Sequence, residues 1–289
     1  MSKFLIFGAA GMLAHALKNH DYFCDHVALS FDQCDITEPE SIEKYISEHK
    51  PKCLLNCAAF TDVAMAQDNI SAAMQVNAHG AINLALLANK YMCQLVHFST
   101  DYVFKGDQDV LYTEEMKATP INNYGLTKLK GEEFVQTVKP DALIIRISWL
   151  YGENGNNFFS TIARRIINSP ELGVVCDQFG KTTYARDAAD ATMRLLEKQA
   201  VGLFHFANEG ICSRYDFAQK VYDIYRKIRH LQCIITPIKA GDFSDHTPRP
   251  TWSALSTQKY TLATGAKIRS YEEALVEYLE NIYRLEYKK

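Results

Sequence analysis

Tyr124 and Lys128, in the stretch NNYGLTK (122–128), are residues whose types and spacing could move a proton. Among the sixteen tyrosines, only Tyr124 has a lysine four positions later. On a helix that spacing puts two side chains one turn apart on the same face. A free phenol ionises at a pH of roughly 10, too high for efficient proton exchange near neutrality. An ammonium one turn away favours phenolate and lowers that value. A third group, Thr100 in HFSTDYVFKG (97–106), could donate to the same oxygen and polarise a carbonyl. Taken alone, Tyr-x-x-x-Lys is also what a solvated helix carries by accident. It becomes chemistry only beside a carbonyl and something that exchanges hydride with it.

The surrounding elements must therefore bring these groups to one crevice. The apolar run at 3–7 reads as a strand covered on both faces, followed at once by a helix. Further strands are expected at 26–31, 52–59, 94–99 and 142–148. Between them lie helices at 39–49, with proline in its first turn, at 71–92 and over 122–138. This β-α-β-α alternation predicts an α/β, Rossmann-type doubly wound parallel sheet. Ligands of such sheets bind at the carboxyl ends of the strands, where Thr100 falls. Later elements are more mixed, with strands at 173–177 and 202–207 and helices at 187–199, 213–228 and 271–287. They are expected to form a smaller C-terminal substrate-binding lobe over 151–289, interleaved with the first domain. Residues 1–150 would be the dinucleotide-binding domain, extended by parts of about 172–206.

Gly8 and Gly11 stand between the first strand and its helix, in GAAGMLA (8–14). There glycine lets the backbone turn sharply and approach a pyrophosphate seated on the helix N-terminus. Ala14 takes the third glycine's place and is small enough for close helix–strand packing. At the end of the second strand an acid would hold a ribose 2′-hydroxyl and repel a 2′-phosphate. Ser30 holds that place with no arginine adjacent, which leaves NAD and NADP both open. Asp35 and Ile36 could hold the adenine, although Asp35 also suits the N-terminal loop of the next helix.

Composition narrows the partners. A chain of 289 residues with 47% hydrophobic residues can build one large domain, or one domain and a smaller one. A net charge of -3 and a pI near 6.3 argue against nucleic acid or an anionic membrane as partner. No apolar stretch is long enough to span a membrane. The eight cysteines form no C-x-x-C pair and suit a reducing cytoplasm; Cys53 and Cys57 fall in the run CLLNCAA, expected as a buried strand. The nine histidines show no ligand spacing, so no metal is expected. His79 and His97 read as packed or solvated side chains.

The glycine turn, Asn-x-Ala-Ala at 56–59, Ser-Thr-Asp-Tyr-Val-Phe at 99–104 and Tyr-x-x-x-Lys together resemble an extended short-chain dehydrogenase/reductase. Within that superfamily the chain is most similar to the dTDP-4-dehydrorhamnose reductase family. The likeness covers nearly the whole sequence, including RISWLYG (146–152), GNNFFSTIARR (155–165), DQFGKTTYARD (177–187) and TPRPTWSALST (247–257).

What the resemblance implies is NADPH-dependent reduction, with NADH used less well, of the C4 keto group of a nucleotide-linked 4-keto-6-deoxy sugar. Tyr124, Lys128 and Thr100 match the family's catalytic three. Gly11, Met12, Leu13, Asp35, Ile36, Ala58, Ala59, Phe60 and Thr61 fall where the family binds its cofactor. Thr100, Asp101 and Trp149 fall where it holds the nucleotide sugar, and Arg249 is expected at the diphosphate. The protein would be a cytoplasmic monomer or homodimer. Three departures bear on substrate and assembly. Asp-Lys-Ala-Glu of the family is Ala64-Met65-Ala66-Gln67 here, and Pro-Thr after the glycine at 180 is Lys181-Thr182-Thr183. His15 and Ala16 stand near where some members carry acids that hold a metal between subunits. A sugar-nucleotide dehydratase would need an acid after Asp101, where Tyr102 stands. A catalytically retired regulatory subunit of the same fold is the other alternative.

Overall fold

Four apolar runs of the first half become inner strands because both of their faces are covered, and the run at 26–29 becomes a half-buried edge strand. The computed structural model describes residues 3–155, 157–227, 232–242 and 247–286. β1 (Phe4–Phe7), β2 (His26–Leu29), β3 (Cys53–Asn56), β4 (Gln94–Thr100) and β5 (Leu143–Ile147) join the strand Gly202–Phe206 in one six-stranded sheet. Its order is β2-β1-β3-β4-β5 and then Gly202–Phe206, and every pair is parallel. The side-chain period of two divides the strands between two cores. Phe4, Ile6, Leu55, Val96 and Ile145 face α1 (Met12–Lys18) and the helix Ala185–Glu197. Leu5, Phe7, Leu54, Leu95 and Ile144 face the helices Pro39–His49 and Gly80–Lys90. The order reverses between β1 and β3, which opens a crevice at their carboxyl ends.

The helix Pro39–His49 has the bounds its sequence predicts and closes on Lys50 in the left-handed region. The run expected as one helix over 71–92 is helical but not uniform. Ile70–Met74 and Gly80–Lys90 are α, and Gln75–His79 between them is a π turn. Such a turn inserts one residue into the ladder and re-aims a side chain. Here the side chain is Asn77, whose amide nitrogen donates to Phe60 O (3.1 Å) and Thr127 Oγ1 (3.0 Å). Asn77 thereby ties the loop after β3 to the helix Asn123–Val138 that carries Tyr124 and Lys128.

Two expectations need correction. The strand near 173–177 is Glu171–Val175, and it does not extend the main sheet. It pairs in parallel with Ile234–Ile238 as a separate two-stranded sheet, while Gly202–Phe206 does join the main sheet. The third strand stops at Asn56, whose side-chain oxygen accepts from Ala58 N (3.2 Å) and turns the chain. Cys53 is buried in that strand, whereas Cys57 lies half-buried in the loop beyond it.

A third core is largely aromatic. Tyr151, Phe159, Tyr184, Phe217 and Tyr278 pack together around the helices Phe158–Asn168, Arg214–Tyr225 and Tyr271–Glu286. Ring centroids of Phe159 and Tyr278 approach to 4.4 Å, edge to face, a geometry that adds to the burial itself.

The turn after β1 needs glycine at its first position. Gly8 has φ of +82°, and a Cβ there would sit 2.7 Å from Ala58 Cα. Gly8→Ala is therefore expected to cost about 2–3 kcal/mol, from backbone strain and overpacking together. Urea denaturation checks this, and a variant as stable as the parent would show that the β1 turn can relax away from Ala58.

Candidate active site

The carboxyl ends of β1, β3 and β4 surround a cavity of about 490 Å³. Gly11, Met12, Leu13, Ala58, Ala59, Thr61, Thr100, Asp101, Tyr124, Lys128 and Trp149 all line it. These residues come from beyond the ends of four strands, β1, β3, β4 and β5, and from α1 and the helix Asn123–Val138, so the fold brings together most of the residues singled out from sequence. Gly8 lies behind the cavity wall, where its carbonyl accepts Gly11 N–H at 3.0 Å and closes the turn. Phe60 N donates to Asn77 Oδ1 at 2.8 Å, which fixes the loop beneath Ala59 and Thr61.

The residues expected at the adenosine side stand farther along the same edge. The Ser30 amide and hydroxyl both donate to Gln33 Oε1, at 3.0 and 3.1 Å. Asp35 Oδ1 accepts from the amide and hydroxyl of Thr37, each at 2.9 Å, the loop role its position also suits. Ile36 is buried beneath Gly80, where a Cβ would meet its side chain at 2.6 Å. Arg249 borders a neighbouring cavity and donates to Thr247 O at 3.4 Å.

Helix placement sets Tyr124. Asn122 caps the helix through Gly125 N (2.8 Å), and its amide nitrogen donates to Pro248 O (2.8 Å), which ties the cap to the distant Arg-Pro loop. Gly125 has no room for a Cβ, which would run into Tyr102 O. The helix therefore lies close against the segment after β4, and the Tyr102 and Tyr124 rings meet edge to face at 5.7 Å. Thr100 Oγ1 accepts from Tyr102 N (3.2 Å) and donates to Asp101 Oδ1 (3.1 Å). The buried Lys128 ammonium donates to Phe98 O at 2.6 Å.

The electrostatics depart from expectation in one respect. Lys128 does not hold the Tyr124 phenol low. Burial pushes that phenol well above its usual value, the Thr100 hydroxyl opposes this, and Asp101 and Tyr102 add to it. Burial pushes Lys128 down to about 8, with Glu132 and Cys57 opposing. The ammonium is committed to the Phe98 carbonyl, and burial, Thr100, Asp101 and Tyr102 rather than Lys128 set the phenol's shift. A phenol that keeps its proton suits an acid that gives one to a new hydroxyl. Burial also raises Asp101 to about 6 against the Ser253 and Thr100 hydroxyls and the Arg214 charge.

Several contributors lack a sequence signal. Glu132, one turn beyond Lys128, forms a two-pronged pair with Arg146 (2.9 and 2.6 Å), both side chains buried. This carboxylate is the main support for the Lys128 charge. Asn157 caps the helix Phe158–Asn168, donates to Met12 Sδ (3.1 Å) and ties the loop after β5 to the glycine turn. Arg214, the first residue of its helix, reaches the cavity from far along the chain. The substituted segment 64–67 touches the site's frame, because Gln67 Oε1 accepts from Asn123 N at 3.1 Å. Lys181 is buried in a pair with Glu209 at 2.9 Å, and Thr183 Oγ1 donates to Ser148 O at 2.6 Å beside Trp149. His97 is packed, with Nδ1 3.0 Å from Asn56 Nδ2, and burial lowers its pKa so that it stays neutral. His79 is exposed and stacks on Phe134.

A doubly wound parallel sheet, a glycine turn at its switch point and a threonine, tyrosine and lysine on one cavity define a class, the Rossmann-fold oxidoreductases of the extended short-chain type. Comparison with known proteins narrows this further. The chain belongs to the family described as RmlD substrate binding domain, whose model matches residues 2–284. It is 35% identical over 284 residues to the spore coat polysaccharide biosynthesis protein SpsK of Bacillus subtilis, covering 97% of this chain and 98% of that one. It is also 35% identical to the dTDP-4-dehydrorhamnose reductase of Aggregatibacter actinomycetemcomitans, over 95% of this chain and 97% of that one. Among solved structures, the Bacillus anthracis dTDP-4-dehydrorhamnose reductase in complex with NADP superposes with a TM-score of 0.92 at 32% identity. That match covers 97% of this chain and 100% of the other.

Proposed function

We propose that this protein reduces the C4 keto group of a dTDP-linked 4-keto-6-deoxy sugar with NADPH, converting dTDP-4-dehydrorhamnose to dTDP-L-rhamnose. The observation that carries this reading is the convergence of Thr100, Tyr124 and Lys128 with the glycine turn on one cavity. The cofactor is supported by fit as well as by kinship. Gly8 packs its backbone directly against Ala58, Gly11 opens α1 without a side-chain cap, and the small residues Ala58 and Ala59 line the same cavity as Gly11. Gly11, Met12 and Leu13 would take the pyrophosphate, Ser30, Asp35 and Ile36 the adenosine, and Ala58, Ala59, Phe60 and Thr61 the length between. NADPH supplies the hydride when bound, and NADH is the poorer donor.

The chain's own residues do the rest. Thr100 and Tyr124 donate to the carbonyl oxygen and hold it in place. Tyr124 delivers its proton to that oxygen as the hydroxyl forms. Lys128 turns from Phe98 O to hold the nicotinamide ribose and to stabilise the phenolate left behind. Asp101 and Trp149 position the sugar nucleotide, and Arg249 borders its diphosphate. Residues 1–150 with Gly202–Phe206 make the cofactor lobe, and most of 151–289 makes the substrate lobe. No helix among the described residues is long and apolar enough to cross a membrane. A cytoplasmic monomer or homodimer completes the reading.

The test supplies dTDP-4-dehydrorhamnose, with UDP- and GDP-linked 4-keto sugars in parallel, and follows loss of the reduced nicotinamide absorbance. Turnover with the dTDP sugar is expected. Turnover only with a UDP or GDP sugar would keep the reaction and overturn the substrate. Cofactor binding with no turnover on any of them would instead favour a retired subunit.

A further inference from the structure

A second cavity of about 460 Å³ lies beside the first, and the two share Phe158 and Arg214. Three arginines, Arg165, Arg214 and Arg249, border the second cavity, and among the described residues no carboxylate does. Arg165 is exposed, and Arg249 borders the second cavity alone. Arg214 is different because it stands where the two cavities meet. Its guanidinium lies over the rings of Trp149 (4.4 Å) and Phe158 (5.0 Å). Nε donates to Gln178 Oε1 (2.9 Å) and Nη2 to the Tyr102 hydroxyl (3.2 Å), both neutral acceptors. Among the described residues it makes no ion pair. A half-buried cation held flat by two rings and oriented by neutral partners keeps spare N–H groups, and its charge acts on the nearby Asp101 carboxyl without a direct ion pair. That arrangement suits a phosphate, which takes the planar fork of a guanidinium in paired hydrogen bonds.

We propose that Arg214 binds the diphosphate of the sugar nucleotide and sets its register, with the sugar's carbonyl at Thr100 and Tyr124 in one cavity and the nucleoside toward the other. This rests on the nucleotide-sugar reading of the site. Tyr102 couples the two ends, because it bonds Arg214 through its hydroxyl and packs its ring edge to face with that of Tyr124. Arg214 is therefore a binding and positioning residue, distinct from Arg249 on the outer loop.

The experiment measures calorimetric affinities of dTDP and thymidine for the protein saturated with NADPH, in the parent, Arg214→Gln and Arg214→Lys. Loss of a charged hydrogen-bonding partner should weaken dTDP by about 10–100-fold in Arg214→Gln while thymidine binding stays within about twofold. KM for the keto sugar should rise by a similar factor, with kcat far less affected. Arg214→Lys should recover part of the dTDP affinity, since it keeps the charge and loses the fork. If Arg214→Gln does not fold, a selective loss of dTDP over thymidine in Arg214→Lys supports the assignment in its place. Equal dTDP affinity in parent and variant, or equal weakening of dTDP and thymidine, would overturn the assignment alone. Absence of dTDP binding in the parent would overturn the nucleotide-sugar reading and this inference with it.

Discussion

Tyr124→Phe is expected to lower kcat by about 10²–10⁴-fold, the usual contribution of a positioned proton donor, while NADPH affinity stays nearly unchanged. The phenol faces the cavity from a helix fixed by the Asn122 cap and the close approach of Gly125 to Tyr102 O. None of those contacts uses the hydroxyl, so the phenylalanine ring should keep the same packing against Tyr102. What is lost is the proton and the hydrogen bond with the Thr100 hydroxyl. Because burial holds the phenol well above its usual pKa, the parent's Tyr124 stays protonated across neutral pH. No acid-side loss of activity should therefore trace to Tyr124 itself. Single-turnover kinetics with saturating cofactor separate chemistry from release. A variant that keeps more than a tenth of the parental rate in the hydride step would remove Tyr124 from the proposed mechanism.

Legibility in the sequence follows how local each cause is. The strands of the parallel sheet are readable because residues covered on both faces must be apolar throughout, and the helix Pro39–His49 announces its own start with proline. The Tyr124 and Lys128 pair is readable because helix geometry alone brings them together. What stays hidden depends on contacts between distant segments. Arg214 meets Tyr102 across 112 residues, and Asn122 meets Pro248 across 126. The strand Glu171–Val175 reads as an addition to the main sheet, and only its partner at 234–238 decides otherwise. The Tyr124 phenol departs from expectation for a related reason. Spacing reports that an ammonium is near, but not that it is buried and already bonded to Phe98 O.

Lys128→Met is expected to trade activity against stability, in a way that depends on pH. The rate loss has two sources, since the residue is proposed to hold the cofactor ribose and to stabilise the Tyr124 phenolate. Both cofactor affinity and kcat should fall, whereas Tyr124→Phe affects kcat alone. Stability should move the other way. Burial takes the Lys128 pKa from 10.5 down to about 8 in the folded protein. Below pH 8 the folded state therefore carries an ammonium it disfavours, at a cost of about 3 kcal/mol. Between pH 8 and 10.5 the unfolded chain holds a proton that the folded one has released, so the parent gains stability as pH rises through this window. Methionine fills similar space without the charge, but it leaves Phe98 O without its donor, which offsets about 1–2 kcal/mol. At pH 7 the variant should thus be more stable than the parent by about 1–2 kcal/mol, and by pH 10 that advantage should have vanished or reversed. Urea denaturation of both proteins at the two pH values checks this. A variant less stable than the parent at pH 7, or a difference that does not change with pH, would mean that Lys128 is not a strained buried cation in the absence of its ligands.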